Sequence, residues 1–174
     1  TAAGARVGAL VGDGALLELA RVQHAFAVLA NEGFTPIIPP ALIKREAMEA
    51  MGYLERGADE VYVTQDELML VGTSEQAIGA MFSGQVFSPA ELPKRFVGFS
   101  SCFRREAGSH GRDVHGILRV HQFDKVEMFC DITFAQSFIC FTRFYFADTI
   151  LSNHIRINLC CLARASYRRI FNIS

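Results

Sequence analysis

The sequence predicts an α+β fold in which helices flank an antiparallel sheet. Three observations carry this: apolar residues at helical spacing open the chain, short period-two stretches follow, and two long strand-like runs, 94–104 and 119–129, bracket a glycine-containing connection. The 174 residues suit a single domain, and 51% hydrophobic content with 15 Phe excludes an intrinsically disordered chain.

The elements follow in order. Asp13 is placed to cap a helix whose Leu16, Leu19, Val22, Phe26 and Leu29 fall on one face, and Gly33 sits where that helix stops. "TPIIPP" (35–40) reads as a short extended segment, because Pro39 and Pro40 cannot continue a central strand. A second helix is expected over about 41–51. "EVYVTQDELMLVG" reads as two short strands about a Gln65-Asp66-Glu67 turn, leading into "TSEQAIGAMF". There Thr73 and Gln76 have capping-box spacing, so a helix begins just after Thr73.

The two long strands hold the polar residues that suggest chemistry. Side chains alternate faces with period two, so Arg104 and Glu106 share one face of the first strand, and Arg119, Phe123 and Glu127 share one face of the second. Val120, Val126 and Met128 take the opposite, core-like face. A guanidinium offers a rigid fork of donors to phosphate or carboxylate. Glu106 can accept from the exocyclic amino group of adenine, Phe123 can stack under a base, Arg119 can orient Glu106 or reach a phosphate, and Glu127 can receive a cationic or hydroxylic group. ATP with a small polar co-substrate fits this inventory; a surface ladder of salt bridges is the competing reading. The connection itself contains Gly108, Gly111 and Gly116 with Ser109, His110, Arg112 and His115, longer than a tight hairpin requires.

Other function classes find less support. A net charge of −1 gives no global field toward nucleic acid or membrane. The five Cys form no C-x-x-C pair, which argues against zinc; their odd number, with no evident signal peptide, suggests a reducing cytoplasm. Residues 132–151 have the length of a membrane span, but Arg143 and Asp148 lie inside it. "VGDGALL" (11–17) lacks the Lys-Ser/Thr of a phosphate loop. His24 reads as a surface residue, His121 as support for the site rather than a catalyst, and Lys125 as solvated or ion-paired.

The stretch "FRREAGSHGRDVHGILRVHQFDKVE" (103–127) closely resembles motif 2 of the class II aminoacyl-tRNA synthetases, specifically the seryl-tRNA synthetases. "GFTPIIPP" (33–40) looks like their motif 1, and "LVGTSEQ" (70–76) like their serine-binding segment; the order agrees over roughly residues 10–129. The resemblance implies an incomplete class II catalytic core over 1–130, with ATP and Mg2+ as cofactors. Arg104 would be the catalytic residue, meeting the ATP α-phosphate and the serine carboxylate. Arg105, Glu106, Arg119, the Val120 backbone and Phe123 would complete the ATP site. Thr73, Ser74 and Glu75 would receive the serine ammonium and Glu127 its hydroxyl. His110, Arg112 and His115 would approach the acceptor end of tRNA(Ser), and motif 1 would build a homodimer. The implied activity is a cytoplasmic serine–tRNA ligase.

The chain departs from that pattern in several places. His115 stands where the family commonly has Arg, and the N-terminal helical hairpin that grips tRNA is not in this sequence. Residues 117–174 contain neither Gly nor Pro, so no Gly-x-Gly-x-x-Arg of motif 3 is present there. From 132 onward Asp148 is the only acidic residue, against Arg143, Arg156, Arg164, Arg168 and Arg169. Residues 131–174 therefore read as an atypical tail, of readthrough or frameshifted origin, and if folded it is expected to form helices over the exposed sheet. The fragment is expected to be inactive alone; the alternative is a non-catalytic truncated paralogue acting as a dimerising or nucleotide-binding module.

Overall fold

The computed structural model describes residue 4 and residues 6–107, 119–132 and 155–163. In chain order the elements are α1 (Asp13–Asn31), β1 (Thr35–Ile37), β2 (Leu42–Ile43), α2 (Arg45–Ala50), α3 (Leu54–Gly57), β3 (Met69–Leu70), α4 (Ser74–Met81), β4 (Lys94–Phe103), β5 (Gln122–Ile132) and β6 (Ile155–Ala163).

The expected antiparallel ladder forms the centre of the sheet: β4 and β5 pair over ten residues, from Lys94 opposite Asp131 to Phe103 opposite Gln122. The sheet as a whole is mixed, in the order β1-β4-β5-β6, with β1 parallel to β4 and β6 parallel to β5. β1 is an outer strand ending at Ile37, as the two following prolines require. In the tail, residues 155–163 form a strand beside β5 and not the helix expected there. Its β-branched and apolar run suits a ladder partner as well as a helix face, so periodicity could not choose between them.

Parity divides the sheet into two faces. Val97, Val126, Met128 and Cys130 pack with Ala25 and Leu29 of α1 and with Phe34. α1 has Gly12 at its N-cap and Asp13 as its first residue, so the aspartate favours the helix through the dipole rather than as the cap. Of the predicted stripe only Leu29 is buried, with Val22 and Phe26 partly so; Leu16 and Leu19 are 66% and 67% exposed, because only the C-terminal half of α1 lies on the sheet.

The opposite face is covered by α4. β2 and β3 pair in a separate antiparallel ribbon, Leu42 with Leu70 and Ile43 with Met69, which takes residues 42–43 out of the helix expected over 41–51 and leaves α2 to Arg45–Ala50. The predicted turn is present: Thr64 Oγ1 accepts from the Leu68 amide at 3.1 Å, and a bridge joins Val63 to Met69. Met48, Met69, Val71 and Ala77 close a second core here. Against β4, α4 approaches so closely that a Cβ on Gly98 would stand 2.7 Å from Ile78 Cδ1 and 3.0 Å from Ser74 Oγ. Gly98→Val is therefore expected to destabilise the fold by about 1–3 kcal/mol through overpacking, read as a lowered urea midpoint with unchanged slope.

Candidate functional site

The covered sheet face carries the residues singled out by parity. Opposite Cys102 lies Phe123, and the same face continues through Lys125 and Glu127 of β5 and Ser100 of β4. Lys125 and Glu127 are 3% and 2% exposed, far too buried to be a solvated ladder. Burial of two charges is tolerable only when both are paired and hydrogen-bonded. Both conditions are met: Lys125 Nζ donates to Glu127 Oε1 at 2.8 Å and to Thr73 Oγ1 at 2.7 Å. Glu127 Oε2 accepts from the Thr73 hydroxyl, from Ser74 Oγ at 3.2 Å and from the Glu75 amide at 3.3 Å.

This arrangement explains why the predicted capping box is not formed. Thr73 is the N-cap of α4 by conformation, yet its side chain makes no cap bond, being committed to Glu127 and Lys125. Gln76 Oε1 turns to the Gly72 amide at 2.9 Å instead of that of Thr73. The carboxylate of Glu127, from another element, serves the start of α4 in its place. Glu75 is held by the Tyr53 hydroxyl, which donates to Oε2 at 2.8 Å.

Arg104 follows the end of β4, and its backbone is fixed from several sides. Its amide donates to the His121 carbonyl at 2.9 Å, while His121 Nδ1 lies 3.0 Å from the Arg104 carbonyl and 3.0 Å from the Tyr62 hydroxyl. The neighbouring amides of Phe103 and Arg105 donate to the carbonyls of Val71 and Glu60. Gly72 passes close to this turn: an added Cβ would meet the Phe103 carbonyl oxygen at 3.4 Å and Arg104 Nε at 3.6 Å. The Arg104 guanidinium carbon stands 5.5 Å from the Phe123 ring centroid, in cation–π range.

Glu106 does not share a strand face with Arg104 as expected. β4 ends at Phe103, and Glu106 adopts a left-handed backbone at φ 52°, a turn that breaks the alternation. Arg119 also precedes its strand, which begins at Gln122. The two side chains nevertheless meet, with Arg119 Nη1 3.6 Å from Glu106 Oε2. Arg119 is largely exposed, so the pair contributes at most about 1 kcal/mol to stability.

A cavity of about 530 Å³ is lined by Arg104, Glu106 and Arg119 together with Gly72, Thr73, Gln76, Tyr53 and Glu60. Its size suits a small-molecule ligand. Phe123 and Val120 line a neighbouring cavity of about 400 Å³ with Leu10, Glu18 and Gln122. Val120 thus clusters with Phe123 and Cys102 and not with the α1-facing core, because the chain bends before β5 begins. Arg105 is exposed and does not line the larger cavity. Glu127 lies behind Thr73 rather than at the cavity wall. The expected tRNA contacts His110, Arg112 and His115 lie outside the described residues. The Cys102 thiol, buried beside the network, is pushed above the usual thiol range by desolvation, so it stays protonated and inert at neutral pH. Lys125 follows from parity, being two positions from Glu127; Tyr53 and Tyr62 had no comparable signal, since their partners come from distant segments.

Residues 60–145 match the tRNA synthetase class II core domain family (G, H, P, S and T). A serine–tRNA ligase of Cutibacterium acnes is 55% identical over 127 residues, covering 72% of this chain and 30% of the relative. Over the matched residues the chain belongs to the class II tRNA synthetases. The serine–tRNA ligase of Acidothermus cellulolyticus agrees, at 50% identity over 135 residues, with 77% of this chain and 32% of the relative covered. The crystal structure of seryl-tRNA synthetase from Pyrococcus horikoshii complexed with ATP superposes with a TM-score of 0.77 at 36% identity, over 82% of this chain and 32% of that one. The synthetase segment here thus spans about a third of the length of the relatives it matches. No helix among the described residues is long and apolar enough to cross a membrane.

Proposed function

We propose that the chain carries the serine and ATP sites of a cytoplasmic serine–tRNA ligase, which joins serine to AMP and then to tRNA(Ser). The observation that carries this reading is the 530 Å³ cavity, lined by a guanidinium–carboxylate set, Arg104, Glu106 and Arg119, together with Thr73 at the start of α4. In the first step the serine carboxylate attacks the α-phosphorus of ATP and pyrophosphate leaves; in the second a terminal ribose hydroxyl of the tRNA takes the seryl group and AMP leaves. Arg104 lines the cavity together with Thr73 and Glu106 and passes close to Gly72, so one guanidinium can neutralise both the attacking carboxylate and the phosphate it attacks. Glu106, braced by Arg119, accepts from the adenine amino group, the Val120 backbone meets the ring edge, and Phe123 supplies the stacking face. Arg105, exposed and next in sequence to Arg104, is assigned to the phosphates. Glu75 and Thr73, with Ser74, receive the serine ammonium and Glu127 the hydroxyl. His110, Arg112 and His115 are assigned to the tRNA acceptor end.

Mg2+, when bound with the nucleotide, would neutralise its phosphates; among the described residues no group of three His, Cys, Asp or Glu could hold the metal alone. The exposed Leu16, Leu17 and Leu19 of α1, with Ile38, support a homodimer through the motif 1 region. We assign the synthetase core to residues 1–130 and treat 131–174 as a tail of readthrough or frameshifted origin, although its residues 155–163 add a strand beside β5. The absence of Gly from residues 117–174, and so of a motif 3 there, favours a second reading for the chain alone: a non-catalytic dimerising or nucleotide-binding module.

Serine-dependent ATP–pyrophosphate exchange tests the assignment. The 174-residue chain is expected to give none, and a full-length Acidothermus cellulolyticus enzyme in which residues 10–129 replace the matching stretch is expected to exchange with serine and not with alanine. A folded chimera without serine-dependent exchange overturns the reading.

A further inference from the structure

We propose that Lys125 is a specificity-determining residue: by neutralising Glu127 behind Thr73, it makes the amino-acid end of the cavity an uncharged acceptor that takes a hydroxyl in preference to a second ammonium. The inference rests on the serine reading above and deepens it.

An isolated carboxylate is a poor device for selecting a hydroxyl. It attracts a cation more strongly, and serine's analogue with an ammonium in place of the hydroxyl, 2,3-diaminopropanoate, is nearly isosteric with it. The geometry removes that difficulty. Lys125 Nζ, 2.8 Å from Glu127 Oε1, cancels the charge in a setting where both side chains are almost wholly buried and solvent screening is weak. Glu75, which accepts from the Tyr53 hydroxyl, is the carboxylate assigned to the one ammonium that serine carries.

The same lysine fixes the polarity of the cavity wall. An ammonium only donates, so the Thr73 hydroxyl must accept from Lys125, and its single proton goes to Glu127. What Thr73 offers to the cavity it lines is therefore a lone pair. Behind Thr73, Glu127 Oε2 accepts from three groups and Oε1 from Lys125, so the buried carboxylate is compensated on both oxygens and the acceptor nearest the cavity is Thr73. Without Lys125 the same positions would present a net negative charge.

The test is ligand-observed NMR titration of the 174-residue chain with serine and with 2,3-diaminopropanoate at mildly acidic pH, where both amino groups of the latter are protonated. Wild type is expected to prefer serine. Lys125→Met is expected to shift the ratio of dissociation constants toward the diamine by about tenfold or more, and Lys125→Arg to keep the wild-type preference. Glu127→Gln, which leaves the lysine charge uncompensated, is expected to shift the ratio the other way, and it decides the matter if Lys125→Met does not fold. Ratios unchanged in the folded variants overturn the assignment of Lys125 while leaving the serine site standing. Wild type binding neither ligand overturns the serine reading, and this assignment falls with it.

Discussion

Arg104→Ala, introduced into the active chimera, is expected to lower serine-dependent pyrophosphate exchange by about 100-fold or more, with the chain still folded. The expectation comes from where the guanidinium stands. It lines the cavity together with Thr73, Glu106 and Arg119. The backbone at residues 103–105 is tied to Val71, His121 and Glu60, so alanine removes the charge without loosening the turn. Loss of a preorganised donor aimed at developing charge typically costs two to three orders of magnitude. The loss belongs in turnover as well as in kcat/KM, since the group is needed most when the α-phosphate carries its greatest charge. A rate within a few fold of the parent would remove Arg104 from the chemistry and favour a purely structural role against the Phe123 ring.

Glu127→Ala is expected to destabilise the chain by about 3–5 kcal/mol, as removal of one partner from a buried ion pair does. Three consequences converge on this substitution. Lys125 keeps a buried charge without its carboxylate, the Thr73 and Ser74 hydroxyls lose their acceptor, and the Glu75 amide at the start of α4 loses its partner. Adding Lys125→Met to Glu127→Ala is expected to recover most of the loss, because the uncompensated charge is its largest part. Urea titration of the four combinations gives the coupling directly. A coupling near zero would mean that the pair holds no charge worth cancelling, against the observed contact.

Much of this site could be read from the sequence. Parity alone placed Phe123, Lys125 and Glu127 on one face of β5 and Val126 and Met128 on the other, and the α1 core confirms the division. The order of segments was enough to join Thr73 to the β4–β5 ladder through resemblance. Parity failed at Glu106 and Val120 for one reason: both lie just outside the strands, where alternation has no force. The stripe on α1 was legible as a helix but not as a burial pattern, because periodicity identifies an apolar face without saying how much of it meets the sheet. Nor could spacing show that Thr73 serves Glu127 instead of its own helix; Thr-x-x-Gln is compatible with a local cap, and the competing acceptor comes from a strand 54 positions away. Tyr53 and Tyr62 were invisible on the same ground.

That separation has a consequence for the order in which the molecule takes shape. α4 has eight residues and no side-chain cap of its own, too short to persist in water by itself. The acceptor that completes its first turn lies on β5, which can be in place only after β4 and the connection between them have left the ribosome. During synthesis α4 must therefore wait for residue 127, and a chain stopped at β4 would contain every residue of "TSEQ" without the carboxylate that orders them.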